Sequence, residues 1–519
     1  MKRFLSNHWK GGLTLLFGLA VFLFWRYRYP FALTYQEQFQ LFLFDGDYFC
    51  DRLAEPGGLA RYIGEFLTQF YNGVAIGAAI LAVLYMLVQQ LTWQVMKPVG
   101  DSWYALSFMS ILTVWYEMGD ESVLLAYTVA LLLALMAILV CRRILGTGRT
   151  LLRWGVVLVM IPPLYWLIGP MVLLVALCVL PLSVVWALAC ILLSARYVPF
   201  PVERVMVGVS YYRFPATLPY VLMAVPVLVA LLSVLPCLSQ KYKLLRQSGG
   251  KWTLAGCLAM VVIGILLVPH GFEIRKYELM EYDYLVRIKD WNAIIAKAEK
   301  KTPDLPMSVS ATNLALAMND QLGERALDFY QHGSEGLLPH FERNFATAQL
   351  TGEIYFHLGL VNTAQRFAFE SMEAIPNYNK SARVMKRLAE TNLINGEYAV
   401  ARKYLQMLEK TVFYRPWAQR TMALLGNEEA INAHPLYGWL RKVRLADDFL
   451  FSEDELDKIC GQLFMHNQQN AMAMQYLVMA PLLDGDAQRF VNYLAYVQGK
   501  VNYNPRYVRE AVAKIRRGR

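Results

Sequence analysis

The chain is poor in the residues that catalysis and metal binding commonly recruit. Its seven cysteines among 519 residues are scattered without a C-x-x-C pair, and Cys178, Cys190, Cys237 and Cys257 fall inside apolar runs. Such spacing gives neither a disulfide framework nor a thiolate metal knuckle. The seven histidines form no i, i+4 pair, which argues against a helical zinc site. There is no P-loop, no dinucleotide glycine motif and no G-x-S-x-G elbow, so nothing marks a nucleotide-driven pump or a common hydrolase. Few ionisable residues stand within the apolar runs, which leaves an ion-coupled transporter without its carriers. No stretch alternates with period two, so strands are not expected. No basic run is interleaved with aromatics; the net charge of +10 reads as membrane topology and surface attraction, not nucleic-acid binding.

Apolar residues, by contrast, make up 56% of the chain, above the range of ordinary soluble domains. The sequence therefore predicts an all-α protein of two parts: a polytopic transmembrane domain of about eight spans over residues 1–270, and a helical-repeat domain over 271–519. Lys2, Arg3 and Lys10 precede the apolar run Gly11 to Trp25, and no small-residue cleavage site follows it. This predicts an uncleaved first span with a cytoplasmic N-terminus.

Residues 30–73 then carry Glu37, Asp45, Asp47, Asp51, Glu55 and Glu65 against only Arg52 and Arg61 as cations. A long acidic loop between spans belongs on the outer side. Further spans are expected at Val74 to Leu91, Trp103 to Tyr116 and Val123 to Val140, with Glu117, Asp120 and Glu121 in a tight outer turn and Arg142, Arg143, Arg149 and Arg153 inside. Trp154 to Leu193 is too long for one crossing and is divided at Gly169-Pro170. Leu218 to Leu238 and Trp252 to Pro269 complete eight. Eight crossings return the chain to the inside, yet Lys241, Lys243, Arg246 and Lys251 want the loop before the last span inside. A re-entrant seventh segment, broken by Pro219, Pro226 and Pro236, resolves the conflict and places the C-terminal half outside.

In that half, Gly323, Gly359 and Gly396 stand 36 and 37 residues apart by their numbers. Gly359, Ala364 and Pro376 have the offsets of a tetratricopeptide unit, and Gly396, Tyr398 and Ala401 repeat its first part, while Asp328 replaces the alanine of the first unit. The segment resembles a tetratricopeptide-like α-solenoid. Ser452-Glu-Asp-Glu455 reads as a capping box, and helices are expected after Asn470, Asp486 and Pro505.

Gln36-Glu37-Gln38, Pro56-Gly57-Gly58-Leu59, Phe66-Leu-Thr-Gln69-Phe70, Asn470-Ala-Met-Ala-Met-Gln-Tyr-Leu and Asn504-Pro-Arg-Tyr-Val-Arg-Glu510 together resemble a family of uncharacterised multi-pass bacterial inner-membrane proteins. More distantly the chain is similar to GT-C-class membrane glycosyltransferases, which carry essential acids in their first outer loop, further acids in the second in some members, and in some cases appended tetratricopeptide repeats. That resemblance implies a lipid-linked sugar donor, a polyprenyl phosphate, bound at the outer membrane surface. Asp47 or Asp45, with Glu37 beside them, would deprotonate an acceptor. Asp120 and Glu121 would hold a divalent cation, Mg2+ or Mn2+, against the phosphate, and Arg52 and Arg61 would grip the phosphate.

Each assignment has a plainer counterpart. Asp45 and Asp47 flank Gly46 as ordinary turn residues do, Glu117, Asp120 and Glu121 serve equally as an acidic outer cap, and interfacial arginines commonly snorkel. The alternative function is a non-catalytic, membrane-anchored scaffold whose helical repeats bind a partner protein or peptide.

Overall fold

Helices account for every regular element of the computed structural model, which describes residues 2–96, 101–146, 150–213, 220–241, 250–340, 342, 344–375, 379–445 and 455–517. Among these residues the only extended pairings are two isolated bridges, Val123 with Tyr212 and His332 with Ser334. The chain divides into two units, Met1–Tyr277 and Glu278–Arg519.

The first unit opens with α1 (Lys2–Leu23) and a π-turn at Phe24–Arg28. The loop 30–73 folds into α2 (Pro30–Glu37), α3 (Gly46–Leu53) and α4 (Gly58–Thr68). Then follow α5 (Val74–Met96), a 3-10 stretch at Asp101–Phe108 leading into α6 (Met109–Glu117), and α7 (Leu125–Leu145). The rest comprises α8 (Thr150–Ile168), α9 (Val172–Val179), α10 (Val184–Ser194), α11 (Val202–Val207), α12 (Tyr220–Lys241) and α13 (Gly250–Leu267).

Eight spans were expected, but four helices are long and apolar enough to cross a bilayer among the described residues. These are Val74–Met96, Leu125–Leu145, Trp252–Gly271 and, counted through the break at Gly169–Met171, Arg153–Val179. The difference has local causes. α1 spends its first half on Lys2, Arg3 and Lys10. The expected third span is part 3-10 and part α-helix. The described apolar part of the seventh, Tyr220–Leu235, is short.

The region 154–193 holds the main correction. Gly169, at φ +63°, interrupts the helix at Gly169–Met171. Beyond it, Trp186 Nε1 donates to Leu158 O (3.0 Å) and Tyr165 shares a hydroxyl hydrogen bond with Ser194 (2.6 Å). The pairs rise together in number, so α8 and α10 run parallel and α9 runs back between them. With eight and eleven residues, α9 and α10 extend about 12 and 16 Å, roughly half of a hydrocarbon core of about 30 Å. They form a helical hairpin whose tip, Leu180 to Ser183, is closed by Ser183 donating to Leu180 O at 2.7 Å. Arg142 donates to Cys178 O at 3.1 Å and Val95 O at 2.7 Å, satisfying carbonyls that the ends of α9 and α5 leave open. The expected sixth span is thus two short helices, α9 and α10, and not one crossing helix. α12 continues through Pro226 and Pro236 as a helix, while Pro219, Lys243 and Arg246 lie outside the described residues.

In the second unit α14 (Ile274–Ile288, beginning in the first), α15 (Trp291–Lys300), α16 (Pro306–Met318) and α17 (Leu322–Arg325) precede the hairpins. α18 (Phe345–Leu358) pairs with α19 (Val361–Glu373), and α20 (Ala382–Asn395) with α21 (Tyr398–Glu409). Both hairpins turn at a left-handed glycine, Gly359 at φ +98° and Gly396 at φ +86°, a conformation that costs glycine little. Gly323 instead lies inside the four-residue α17, so the glycine spacing marks two equivalent turns, 37 residues apart by their numbers, not three. Later helices include α22 (Arg415–Met422), α23 (Glu428–Ala433), α24 (Tyr437–Val443), α25 (Leu456–His466), α26 (Ala471–Leu483), α27 (Ala487–Gln498) and α28 (Arg506–Arg517). Asn470 and Asp486 cap α26 and α27 as expected. Pro376 and most of the expected capping box, Ser452 to Asp454, lie outside the described residues.

Candidate functional site

Charge in the loop 30–73 is organised around Glu65 of α4, which is 1% exposed. Its Oε2 accepts from Tyr48 OH (2.5 Å) and Arg52 Nε (2.6 Å), and its Oε1 from Arg61 Nε (3.0 Å). Arg61 Nη1 also donates to Glu55 at 2.6 Å. Two helices, α3 and α4, place these groups: Arg61 and Glu65 are one turn apart on α4, while Tyr48 and Arg52 are one turn apart on α3. Burial works to lower the Arg52 pKa, but the Glu65 carboxylate wins and holds it above its ordinary value. Burial, with Glu65 adding to it, pushes the Tyr48 hydroxyl far up. The network is a neutralised, internally satisfied ion cluster.

The second group surrounds the turn after α6. Asp120 Oδ2 accepts from Tyr212 OH at 2.6 Å, and Oδ1 from the Ser122 amide at 2.8 Å. Glu121 pairs with Lys276 at 3.1 Å. The segment 208–213 clamps this turn: the Arg213 amide donates to Ser122 O at 2.7 Å, the Leu124 amide to Tyr211 O at 3.0 Å, and Arg213 Nη2 to Glu121 O at 2.6 Å. Gly119 and Gly271 meet back to back, where a Cβ on either would collide with the other strand of chain, and Tyr277 OH donates to Gly119 O at 2.9 Å. Arg213 is 1% exposed and lies 3.4 Å over the Phe39 ring. Burial pulls its pKa down to about 10, against Tyr35, Glu121 and Asp120 pulling it up. Through Arg213 the loop 30–73 and the 117–124 turn come to one face of the first unit, and the chain leaves that unit at the same face through Lys276 and Tyr277.

Glu117 differs from all of these. It ends α6 half-buried, and its side chain makes no hydrogen bond or ion pair among the described residues. Burial, reinforced by the neighbouring Asp120, pushes its carboxyl up to about 7. A carboxyl with that pKa exchanges protons at neutral pH and suits a general base.

The second unit has its own cluster. Arg387 Nη2 donates to both oxygens of Glu353 at 2.7 Å, Arg383 Nη1 to both of Asp283 at 2.9 Å, and Arg387 Nη1 to Glu390 at 3.0 Å. Burial would raise Glu353, but Arg387 and Arg383 bring it down to about 2. Burial lowers His357 to about 4. Helices α14, α18 and α20 are cross-linked by these pairs.

The residues expected to act together fall in different places. Glu37 is buried at the end of α2. Asp45 is the N-cap of α3, accepting from the Asp47 amide at 3.3 Å, and Asp47 stands exposed in its first turn. Arg52 and Arg61 direct their donors at Glu65 and Glu55. Asp120 and Glu121 do adjoin, but they do not suit a divalent cation, because Asp120 has both oxygens engaged and Glu121 is neutralised by Lys276. Among the described residues no three His, Cys, Asp or Glu side chains gather as a metal site. Reading the sequence undervalued Glu65, although its i, i+4 spacing from Arg61 was visible, and missed Arg213, whose importance rests on a long-range contact with Phe39.

Comparison with curated proteins and with solved structures gives no match. Residues 7–517 match the model of a family of unknown function, DUF6057, and with nearly its whole length inside that match the chain belongs to this family.

Proposed function

We propose that the protein is a membrane-anchored helical scaffold: the first unit holds it in a bilayer and the second presents tetratricopeptide-like hairpins to a partner protein. The observation that carries this reading is the repeated construction of α18–α19 and α20–α21, each closed by a left-handed glycine and cross-linked through Glu353, Arg383 and Arg387. Such stacking produces the extended faces on which helical repeats capture peptides or helices. Phe369 of α19 and Val400 of α21 stand exposed and supply apolar contact. A photo-crosslinking residue at Phe369 or Val400 in the full-length protein in its own membrane should give one discrete protein adduct that the same probe at exposed Arg420 does not. Absence of an adduct from either site sinks the reading.

With the apolar run Gly11 to Trp25 counted as a crossing although α1 as a whole falls short, the charge pattern supports a bacterial cytoplasmic membrane with the N-terminus inside and the loop 30–73 outside. Lys241 and Lys251 before the last apolar helix favour an inner loop there, and with it the second unit outside. Cys50 is exposed on α3. In intact spheroplasts it should react with a membrane-impermeant maleimide, a signal lost in C50S. Labelling only after lysis would reverse the orientation.

Glu117 favours a second reading, lipid-linked glycosyl transfer of the GT-C kind. The carboxylate best suited to deprotonate an acceptor is then Glu117, ahead of Asp45 or Asp47. E117Q would abolish consumption of a polyprenyl-phosphate sugar and D47A would leave it intact; equal turnover by wild type and E117Q removes this reading.

A further inference from the structure

A groove of about 490 Å³ runs along the first unit between α1, the 101–117 segment and α13. Its walls include Leu13, Phe17, Phe24, Leu112, Trp115 and Gly264, and it carries no charged side chain. From Leu13 to Leu23, α1 rises about 15 Å at roughly 1.5 Å per residue, close to the depth of one leaflet in a core of about 30 Å. α13 supplies the outer wall and is hardly covered by the rest of the chain, only 6% of its apolar window being buried. The groove therefore opens sideways, where a bilayer would lie.

One end carries positive charge. Arg26 and Arg28 follow Phe24 in the π-turn, each stacked on its neighbouring tyrosine at 5.4 and 5.3 Å. Arg28 is exposed and Arg26 partly so. His270 follows Pro269 of the groove wall and is also exposed. An apolar slot of leaflet depth ending at arginines matches a molecule with a hydrocarbon tail and an anionic head.

We propose that this groove retains one anionic phospholipid, an acyl chain between α1, α6 and α13 and the phosphate at Arg26 and Arg28. The site is separate from the Glu117 and Glu65 clusters and holds whether or not the protein is a scaffold. Gly264 keeps the slot open: a Cβ there would already lie 3.3 Å from Leu112 Cδ2, so a leucine projects its branch into the groove.

The test is native mass spectrometry of the full-length protein released from nanodiscs of mixed phosphatidylglycerol and phosphatidylcholine. Wild type should retain one phosphatidylglycerol per chain. R26Q/R28Q, which changes only groups at the surface, should lose the preference for phosphatidylglycerol by roughly fivefold per arginine removed. G264L should release lipid of both kinds while keeping the wild-type melting temperature within a few degrees. A lipid-free wild type, a preference unchanged in R26Q/R28Q, or a lipid-free dimer seated through α13 would overturn the proposal.

Discussion

Two carboxylates on the same face of the first unit have opposite fates. Glu65 is almost fully buried and meets two arginines and a tyrosine; Glu117 is less buried and meets none among the described residues. Depth alone does not decide a carboxylate's proton affinity, because Glu353 of the second unit, more deeply buried than Glu117, sits near 2 under Arg387 and Arg383, whereas half-buried Glu117 sits near 7. The partner decides. Paired acids stiffen a fold, and an acid left without a cation is free to exchange a proton.

The comparison can be broken most severely at Glu353. R387M leaves that carboxylate deeply buried with its main partner gone and should cost about 3–5 kcal/mol, read from chemical denaturation of the full chain; a loss below 1 kcal/mol would show that the cluster contributes little. The same cluster sets an acid limit. Glu353, depressed to about 2, contributes stability present above its unfolded value near 4.5 and lost as pH falls toward 2. His357, depressed to about 4, adds a loss as pH falls from 6.5 to 4, since the unfolded chain takes up the proton first. H357Q should flatten only the upper of these windows.

E65Q is the next smaller change. It removes the charge that Arg52 and Arg61 share and should cost about 2 kcal/mol, the scale of a hydrogen bond to a charged group. E117Q should act with the opposite sign. The raised Glu117 pKa gives stability that is full below about 4.5 and is lost as pH rises through about 7. The glutamine should therefore be more stable than wild type above pH 7, by on the order of 1 kcal/mol after solvent screening, and equal to it at pH 4. D47A, an exposed position, should change stability by less than about 0.5 kcal/mol.

Much of this architecture was legible in the chain. The apolar runs, the acidic loop and the left-handed glycines at Gly359 and Gly396 all follow from local composition and chain chemistry. What local reading does not reach is direction and long-range contact. The stretch Leu173 to Leu193 reads as a span by its hydropathy, yet Gly169 and the Leu180-Pro181 break turn it into two short helices. Asp45 and Asp47 have the residue types of a general base, but a capping aspartate and a catalytic one are identical in sequence. Glu117 stands out only once the cations near Asp120 and Glu121 are located: Lys276 lies 155 residues from Glu121, beyond any local pattern.

The most direct test is the titration of Glu117 itself, by carboxyl carbon NMR of the full-length protein labelled at glutamate, the signal assigned by its absence in E117Q. A midpoint near 7 is expected, and a midpoint near 4.5 would contradict the claim that Glu117 lacks a compensating cation among the described residues.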